Sequence, residues 1–440
     1  MKPNPAVSMV LAVALMGMLV TAANSVQAAE ALTLDEYYAA ALKRSEVIAT
    51  QGELIRQAEE RYKQANSAIR PTVSGVASYS RRDPVSSVDP SNPAPTDRSS
   101  LAKLTATQPL FRGFRDFAAL RQTNALRDAQ NQDYRNACTQ LFKDVVQNFY
   151  IVLSLEQDLK NYSEEINQNI DREKELNGRV RIGRSRISEV LSVQSTISTL
   201  RAQVEQLRSQ LGTAREAFAF LSGLAPTTLL RDTEDLPVNL EPLDEYLARL
   251  EMRPDVKASQ QRLTAAQENT TVARGANLPS LDLNANRYLE RTGYLRDATN
   301  LRGSDWDVEI ALTVPIYAGG LLQSKVREAV SQRTQAELNA SQVSREAEQE
   351  IRSVYQIVMF DRTQLDALEK STESARKNYE AQRRDYRLGL VTNLDVLQAL
   401  TAFQQNQRAL DRAHYTAKLD YLILEAAVVR RPSTSQGPAP

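Results

Sequence analysis

The chain is written twice, and the second writing keeps the spacing of the first. "RIGRSRISEVL" begins at Arg181 and "RLGLVTNLDVL" at Arg387, 206 positions later. Both read Arg, an apolar residue and Gly, then a polar stretch, then an acid followed by Val-Leu, with the same distance from Gly to acid. "QPLFRG" (Gln108–Gly113) faces "VPIYAG" (Val314–Gly319) at that offset, and so does "VVQNFYIVL" from Val145 with "IRSVYQIVM" from Ile351. "LDEY" recurs at Leu34 and Leu243, 209 positions apart. Gly and Pro matches at a constant offset argue against chance likeness of helical low-complexity sequence. A repeated unit must build the same supersecondary structure twice. The expected division is a first repeat over 29–225, a linker or equatorial segment over 226–242 and a second repeat over 243–430.

Each repeat has one order of elements. An amphipathic helix comes first, over about 33–68 and 243–274. Two β segments follow, 71–82 with 100–111 and 278–290 with 305–317, then a very long helix and a shorter return helix. In "WDVEIALTVPIY", Trp306, Val308, Ile310, Leu312, Val314 and Ile316 share one face; Asp307, Glu309, Ala311 and Thr313 share the other. Such alternation gives one apolar and one wet face. A soluble sandwich gives the same alternation. A membrane barrel is favoured by strands of about ten residues and by the lack of further strands for a second sheet. Four strands cannot close a barrel, since about eight is the usual minimum and an open edge in lipid leaves backbone groups unpaired. Two copies give eight strands and a filled interior. Three give twelve and a lumen, so the count favours a trimer if the purpose is transport.

From about Gly113 to Val180 there is no Pro, and Gly178 stands near the end. At 1.5 Å per residue that stretch is about 100 Å of helix; Leu321–Tyr386 is comparable. The first return helix carries a heptad seam: Val190, Ile197, Val204, Leu211 and Phe218, with Val193, Leu200, Leu207, Ala214 and Leu221 three positions on. In the second, Val396, Phe403, Leu410, Ala417 and Leu424 repeat it, but Asn406 and Asp420 weaken the companion seam. Gly183 and Gly389 end the long helices, where Gly takes the left-handed conformation. Thr392 or Asn393 is expected to cap the next helix, with Asp395 in its first turn; Ser188 and Glu189 hold the matching place. As helix-starting residues these acids have a sufficient structural account, and any further role needs other support.

Composition enters as exclusion. With 54 basic and 54 acidic residues there is no surplus to neutralise phosphates, so nucleic acid is not an expected partner. One His and one Cys, His414 and Cys138, make no metal cluster. Neither GxSxG, a P-loop nor HExxH occurs, so no enzyme, cofactor or metal is expected. Lys2, the apolar run to about Ala23 and "VQA" ending at Ala28 read as a signal peptide over 1–28, cleaved near Ala28. No Cys stands there to take a lipid. The tail 431–440 is expected to be disordered.

In the layout, the "QPLF"/"VPIY-AGG" junctions and the two tip motifs, the chain resembles the TolC family of trimeric outer-membrane export channels over essentially its whole mature length. The resemblance implies a mixed fold: an α-helical coiled-coil barrel plus a membrane β-barrel. Each chain of a homotrimer supplies four strands to one twelve-stranded barrel in outer-membrane lipid, and long helices continue as a periplasmic tunnel. It implies a passive conduit of a tripartite system, for type I secretion or multidrug efflux, fed by a periplasmic adaptor and an inner-membrane pump of ABC or RND type. The tips Arg181, Gly183, Arg387 and Gly389 would dock the adaptor and part like an iris. Asp395 matches the first acid of the family's constriction. Gln398 stands where a second acid is expected, and Tyr386 matches a tethering tyrosine. Its expected basic partner is replaced by Val391. Ser188 and Glu189 match the facing polar pair. The rival is a periplasmic coiled-coil scaffold or adhesin without a pore, which explains the helices but not the strands.

Overall fold

The structure, a computed structural model, describes residues 31–81, 98–237, 239–292 and 305–430. The expected signal peptide with Ala28, most of the Pro- and Ser-rich loop after Arg81 and the tail 431–440 lie outside them. The described residues fall into two compact units. One takes in 31–44, 145–236 and 365–418; the other comprises the described residues within 45–144, 237–364 and 419–430.

Two helices are far longer than the rest. α3 runs over Arg115–Arg181 and α7 over Leu321–Leu388, 67 and 68 residues. Neither contains Pro, and α7 contains no Gly, so nothing breaks the backbone ladder. The return helices, α4 (Ile187–Ser222) and α8 (Asn393–Ala427), are about half as long. The two N-terminal helices are not continuous as expected. α1 (Leu34–Arg44) stops and Ser45 caps α2 (Glu46–Ser67), its hydroxyl accepting the Ile48 N–H at 3.3 Å. In the second repeat, α5 (Leu243–Leu247) gives way to a 3₁₀ turn at Leu250–Met252 and then α6 (Pro254–Gly275). Pro254 has no N–H to donate and sits at the start of α6, where none is needed.

In the strand-bearing unit, β1 (Thr72–Arg81), β2 (Arg98–Arg112), β3 (Ser280–Thr292) and β4 (Trp306–Thr313) form one antiparallel sheet in the order β1-β2-β3-β4. β4 ends at Thr313, short of the expected 317, because Pro315 cannot donate to a ladder. The register sorts the side chains. Val73, Leu104, Ala285 and Val308 lie on one face with Ile310 and Leu312, and Val73, Ile310 and Leu312 are 72%, 64% and 65% exposed. The other face is polar and cross-bonded. The Thr105 hydroxyl donates to Asn286 Oδ1 at 2.8 Å, Thr107 to Asn284 Oδ1 at 2.9 Å, and Asn286 Nδ2 to Asp307 at 2.9 Å. Arg112 Nε donates to Asp282 at 3.0 Å on this face.

Between β2 and α3 the chain turns on Gly113 and Phe114, both left-handed at φ 63° and 61°. A Cβ on Gly113 would stand 2.3 Å from the carbonyl oxygen of Gly275, so only glycine permits this backbone approach. The matching pair between β4 and α7 is Gly319 and Gly320, also left-handed, with nothing within 4 Å of either added Cβ. Deeper in this unit Arg253 is buried and fully engaged: with Asp255 at 2.7 Å, with Glu350 at 2.7 Å and with the Ala427 carbonyl at 3.1 Å. Among the described residues, no helix is long and apolar enough to cross a membrane.

In the other unit, the α4 seam is buried at Val190, Val193, Ile197, Leu200, Val204, Leu207, Ala214 and Phe218. Phe218 meets Tyr37 of α1 with ring centres 4.6 Å apart, and the Tyr37 hydroxyl donates to Asn148 at 2.9 Å. Where α3 meets α8 the contacts are polar instead. Arg412 donates to Asp158 at 2.7 Å, Asn161 to Asp411 at 2.6 Å and Gln404 to Gln168 at 3.1 Å, and Arg408 bonds Glu165. The spacing of 158, 161, 165, 168 and 172 follows one face of α3.

Candidate functional site

The candidate site is the pair of hairpin tips, all within one unit. Each tip is closed by the same backbone device. At the end of α3, Gly183 N–H donates to Val180 O at 3.0 Å and Arg184 N–H to Arg179 O at 2.8 Å. At the end of α7, Gly389 N–H donates to Tyr386 O at 3.1 Å and Leu390 N–H to Asp385 O at 3.0 Å. This double bond pattern requires a left-handed residue, and Gly183 and Gly389 supply it at φ 70° and 78°. No atom lies within 4 Å of a Cβ added to either, so backbone conformation alone demands glycine there. Arg181 and Arg387 are exposed on the last turns, beside Ile182, Leu388 and Leu390, which are exposed as well.

The helix starts differ between the tips. Thr392 caps α8 in a reciprocal box. Asp395 accepts the Thr392 N–H at 2.8 Å and its hydroxyl at 2.6 Å, while the Thr392 hydroxyl accepts the Asp395 N–H at 3.4 Å. The Thr392 hydroxyl and N–H hold the Asp395 carboxyl below its ordinary value, so it is ionised at neutral pH. Asn393, the other capping candidate, is instead buried and accepts Arg172 Nε at 2.9 Å. In the first hairpin Arg186 takes the capping position without a side-chain bond. Glu189 accepts the Ser185 hydroxyl at 2.5 Å, and Ser188 is exposed and is not the cap. Gln398 is exposed one turn beyond Asp395.

Tyr386 is where the two hairpins meet. Its ring is buried with Leu176, Val190, Val193, Ile197 and Val396. The guanidinium groups of Arg172 and Arg179 lie 4.0 and 4.4 Å from its ring centre. Glu175 receives both, at 3.2 Å from Arg172 and 2.9 Å from Arg179. Val391, where a basic partner was expected, packs against the apolar cluster instead. Sequence reasoning missed Arg172, Glu175 and Arg179. Their spacing of three and four places them on one helix face, but nothing local says that the face meets Tyr386.

Farther along the α3–α8 contact the carboxylates are unusually placed. Burial pushes Glu165 above its ordinary value against the pull of Arg408, and pushes Asp158 up against the pull of Arg412. Charged groups so fully desolvated are tolerated only with partners.

The two matched tips are the repeated feature of the unit. A model of the outer membrane efflux protein family matches residues 37–224 and 247–428, and the chain belongs to that family. Outer membrane efflux protein BepC of Brucella suis is 25% identical over 381 residues, covering 84% of this chain and 80% of BepC. Outer membrane protein TolC of Escherichia coli is 25% identical over 266 residues, a match that spans 57% of this chain and about half (53%) of TolC. The solved outer membrane channel CmeC of Campylobacter jejuni shares the fold, with a TM-score of 0.75 at 19% identity, covering 92% of this chain and 87% of CmeC.

Proposed function

We propose that the chain is one third of an outer-membrane channel, a passive conduit for export from the periplasm of a Gram-negative cell. The observation that carries this reading is the four-stranded sheet. It has one exposed apolar face, one cross-bonded polar face and two edges, β1 and β4, each paired on one side only among the described residues. A sheet with those faces suits lipid outside and water inside. It can lose its edges only by pairing β4 with β1 of another copy, and three copies give twelve strands around a lumen. The glycine junctions support the same assembly. Gly113 is packed against Gly275, whereas its counterpart Gly319 has nothing within 4 Å of an added Cβ, room that a second copy would take. A soluble scaffold would leave the apolar sheet face without a purpose.

In this reading the energy comes from an inner-membrane pump of ABC or RND type through a periplasmic adaptor, for type I secretion, multidrug efflux or both. Family membership and BepC's description as an efflux protein support the export role. Arg181, Gly183, Arg387 and Gly389 present the adaptor-docking tips. Asp395, three times around the axis, forms the constriction with Ser188, Glu189 and Gln398 nearby, and Tyr386 tethers the inner hairpin. Opening is an iris-like parting of the tips, biased by adaptor and pump. The test is the native mass of protein extracted from outer membranes in mild detergent, followed by bilayer conductance. Three chains and a steady conductance are expected. A monomer released without detergent overturns the reading, because four strands cannot close alone.

A further inference from the structure

One arginine reaches both arms of the second hairpin. Tyr386 stands before the turn at Gly389 and Asn393 after it. The Arg172 guanidinium lies 4.0 Å from the centre of the Tyr386 ring, and its Nε donates to Asn393 Oδ1 at 2.9 Å. Arg172, Tyr386 and Asn393 are all buried. Arg179, farther along the same face of α3, brings a second guanidinium to the ring, and Glu175 between them accepts from both. These contacts are to the ring of Tyr386; among the described residues its hydroxyl makes no hydrogen bond. Arg172 Nη2 is buried without a hydrogen-bond partner, so hydrogen bonds alone do not account for where the guanidinium sits. The repeat does not copy this device. At the offset of 206, α7 has Asn378 and Asp385 where α3 has Arg172 and Arg179, and the first hairpin has Val180 and Ile187 where the second has Tyr386 and Asn393.

We propose that Arg172 is the residue that holds the gate shut, clasping the second hairpin by the face of the Tyr386 ring and the Asn393 amide, so that Tyr386 tethers through its ring and not its hydroxyl; the proposal rests on the channel reading above. A planar guanidinium stacks on a ring and hydrogen-bonds in its own plane at the same time, which an ammonium group cannot do. A cation over a ring is held more strongly where water is excluded, as it is around these buried groups. The clasp takes the place of the basic partner that Val391 does not supply. It also runs one way. A matching clasp from α7 of one copy to the first tip of the next would need a cation at 378 or 385 and a ring at 180, and the sequence has neither. A ring of three copies therefore has three clasps, each within one chain.

The experiment records the full-length protein in planar bilayers with no partner present and compares the fraction of time spent open. Arg172→Gln is expected to raise that fraction by at least about tenfold, the scale of a desolvated cation over a ring. Tyr386→Leu keeps an apolar side chain in the cluster but removes the ring, and is expected to do the same. Tyr386→Phe returns the ring without the hydroxyl, and is expected to bring the open fraction back to within about twofold of the starting protein. Lys174→Gln, at an exposed pair with Asp171 on the same helix, is expected to change nothing. If Tyr386→Phe opens the channel as far as Tyr386→Leu, the hydroxyl is the tether and the clasp is overturned, with the channel intact. An open fraction unchanged in Arg172→Gln overturns it as well, and if that variant does not insert, the two Tyr386 variants decide alone. If no version conducts, the unaltered protein included, the channel reading falls and the clasp with it.

Discussion

Two interfaces in the tip-bearing unit are built from opposite chemistry. Along α4 the buried residues are apolar at heptad spacing, from Val190 to Phe218. Between α3 and α8 the contacts are ion pairs and amides: Glu165 with Arg408 and Arg172 with Asn393 are buried, Asp158 with Arg412 and Gln168 with Gln404 partly so. An apolar seam gains its energy from leaving water, and opening it exposes surface for which water offers nothing in return. A polar rung exchanges protein partners for water, so its net contribution is small while its geometry is demanding. The first kind holds α4 to Leu176 of α3 and, across the hairpins, to Tyr386 and Val396. The second sets the register of α3 against α8, so the proposed iris has to break both kinds.

The contrast can be broken at its polar side with the largest effect. Arg408→Ala strands Glu165, which is 2% exposed, and is expected to destabilise by about 3–5 kcal/mol in chemical unfolding. Replacing both partners with leucine should restore stability to near or above the starting value. If Arg408→Ala has no more effect than loss of the exposed Lys370–Asp366 pair, the rung is not a buried charge. On the apolar side, Leu176→Ala is expected to lose about 2–5 kcal/mol through the cavity it leaves, equally at pH 5.5 and 7.5. A strong pH dependence of that loss would erase the distinction between the interfaces. Gly389→Val, at φ 78° with no neighbour, is expected to lose about 1–2 kcal/mol by backbone strain alone. It should also weaken adaptor crosslinking, and unchanged crosslinking would remove the tip from docking.

A pH test extends the comparison to the strand-bearing unit, where Asp420 and Asp361 lie. Asp420 of α8 is pushed up to about 6 by burial and by the Asp361 carboxyl. Its raised value means the folded chain takes the proton first, so its stability rises as pH falls through about 6 toward the ordinary carboxylate range. Thermal unfolding between pH 7.5 and 5 should show that gain, and Asp420→Asn should flatten it. The smallest effect belongs to Asp395→Ala, expected to lower cation preference in bilayer recordings without abolishing conductance. Selectivity unchanged from the starting protein would confine Asp395 to capping Thr392.

Legibility followed the range of the forces. The α4 heptads were readable because each seam residue answers to its own helix, and Val190 through Phe218 are buried with Leu211 and Leu221 only partly so. The strand alternation was readable for the same reason. Asp420 announced itself as an acid at a seam position. Gln404 and Arg408 did not, because a charged residue becomes a core residue only through partners such as Glu165, 243 positions away. The breaks at Ser45 and Pro254 and the end of β4 before Pro315 carried local signals that the repeat pattern outweighed. At the tips, the turns at Gly183 and Gly389 were visible, but the pairing of Tyr386 with Arg172 and Arg179 is a tertiary fact without a local mark.

In the proposed three-chain ring, the edges of β1 and β4, each paired on one side only among the described residues, carry a consequence for heredity. In a closed ring of three identical chains, each copy must offer both edges to its neighbours. A copy whose β1 edge is blocked, for instance by proline in place of a residue whose N–H faces outward, still presents a sound β4 and so enters the ring but cannot complete it. In a cell making equal amounts of both forms, random assembly would leave only about one ring in eight free of the faulty copy. Such an allele would behave as dominant, whereas one that prevents the chain from folding would be recessive.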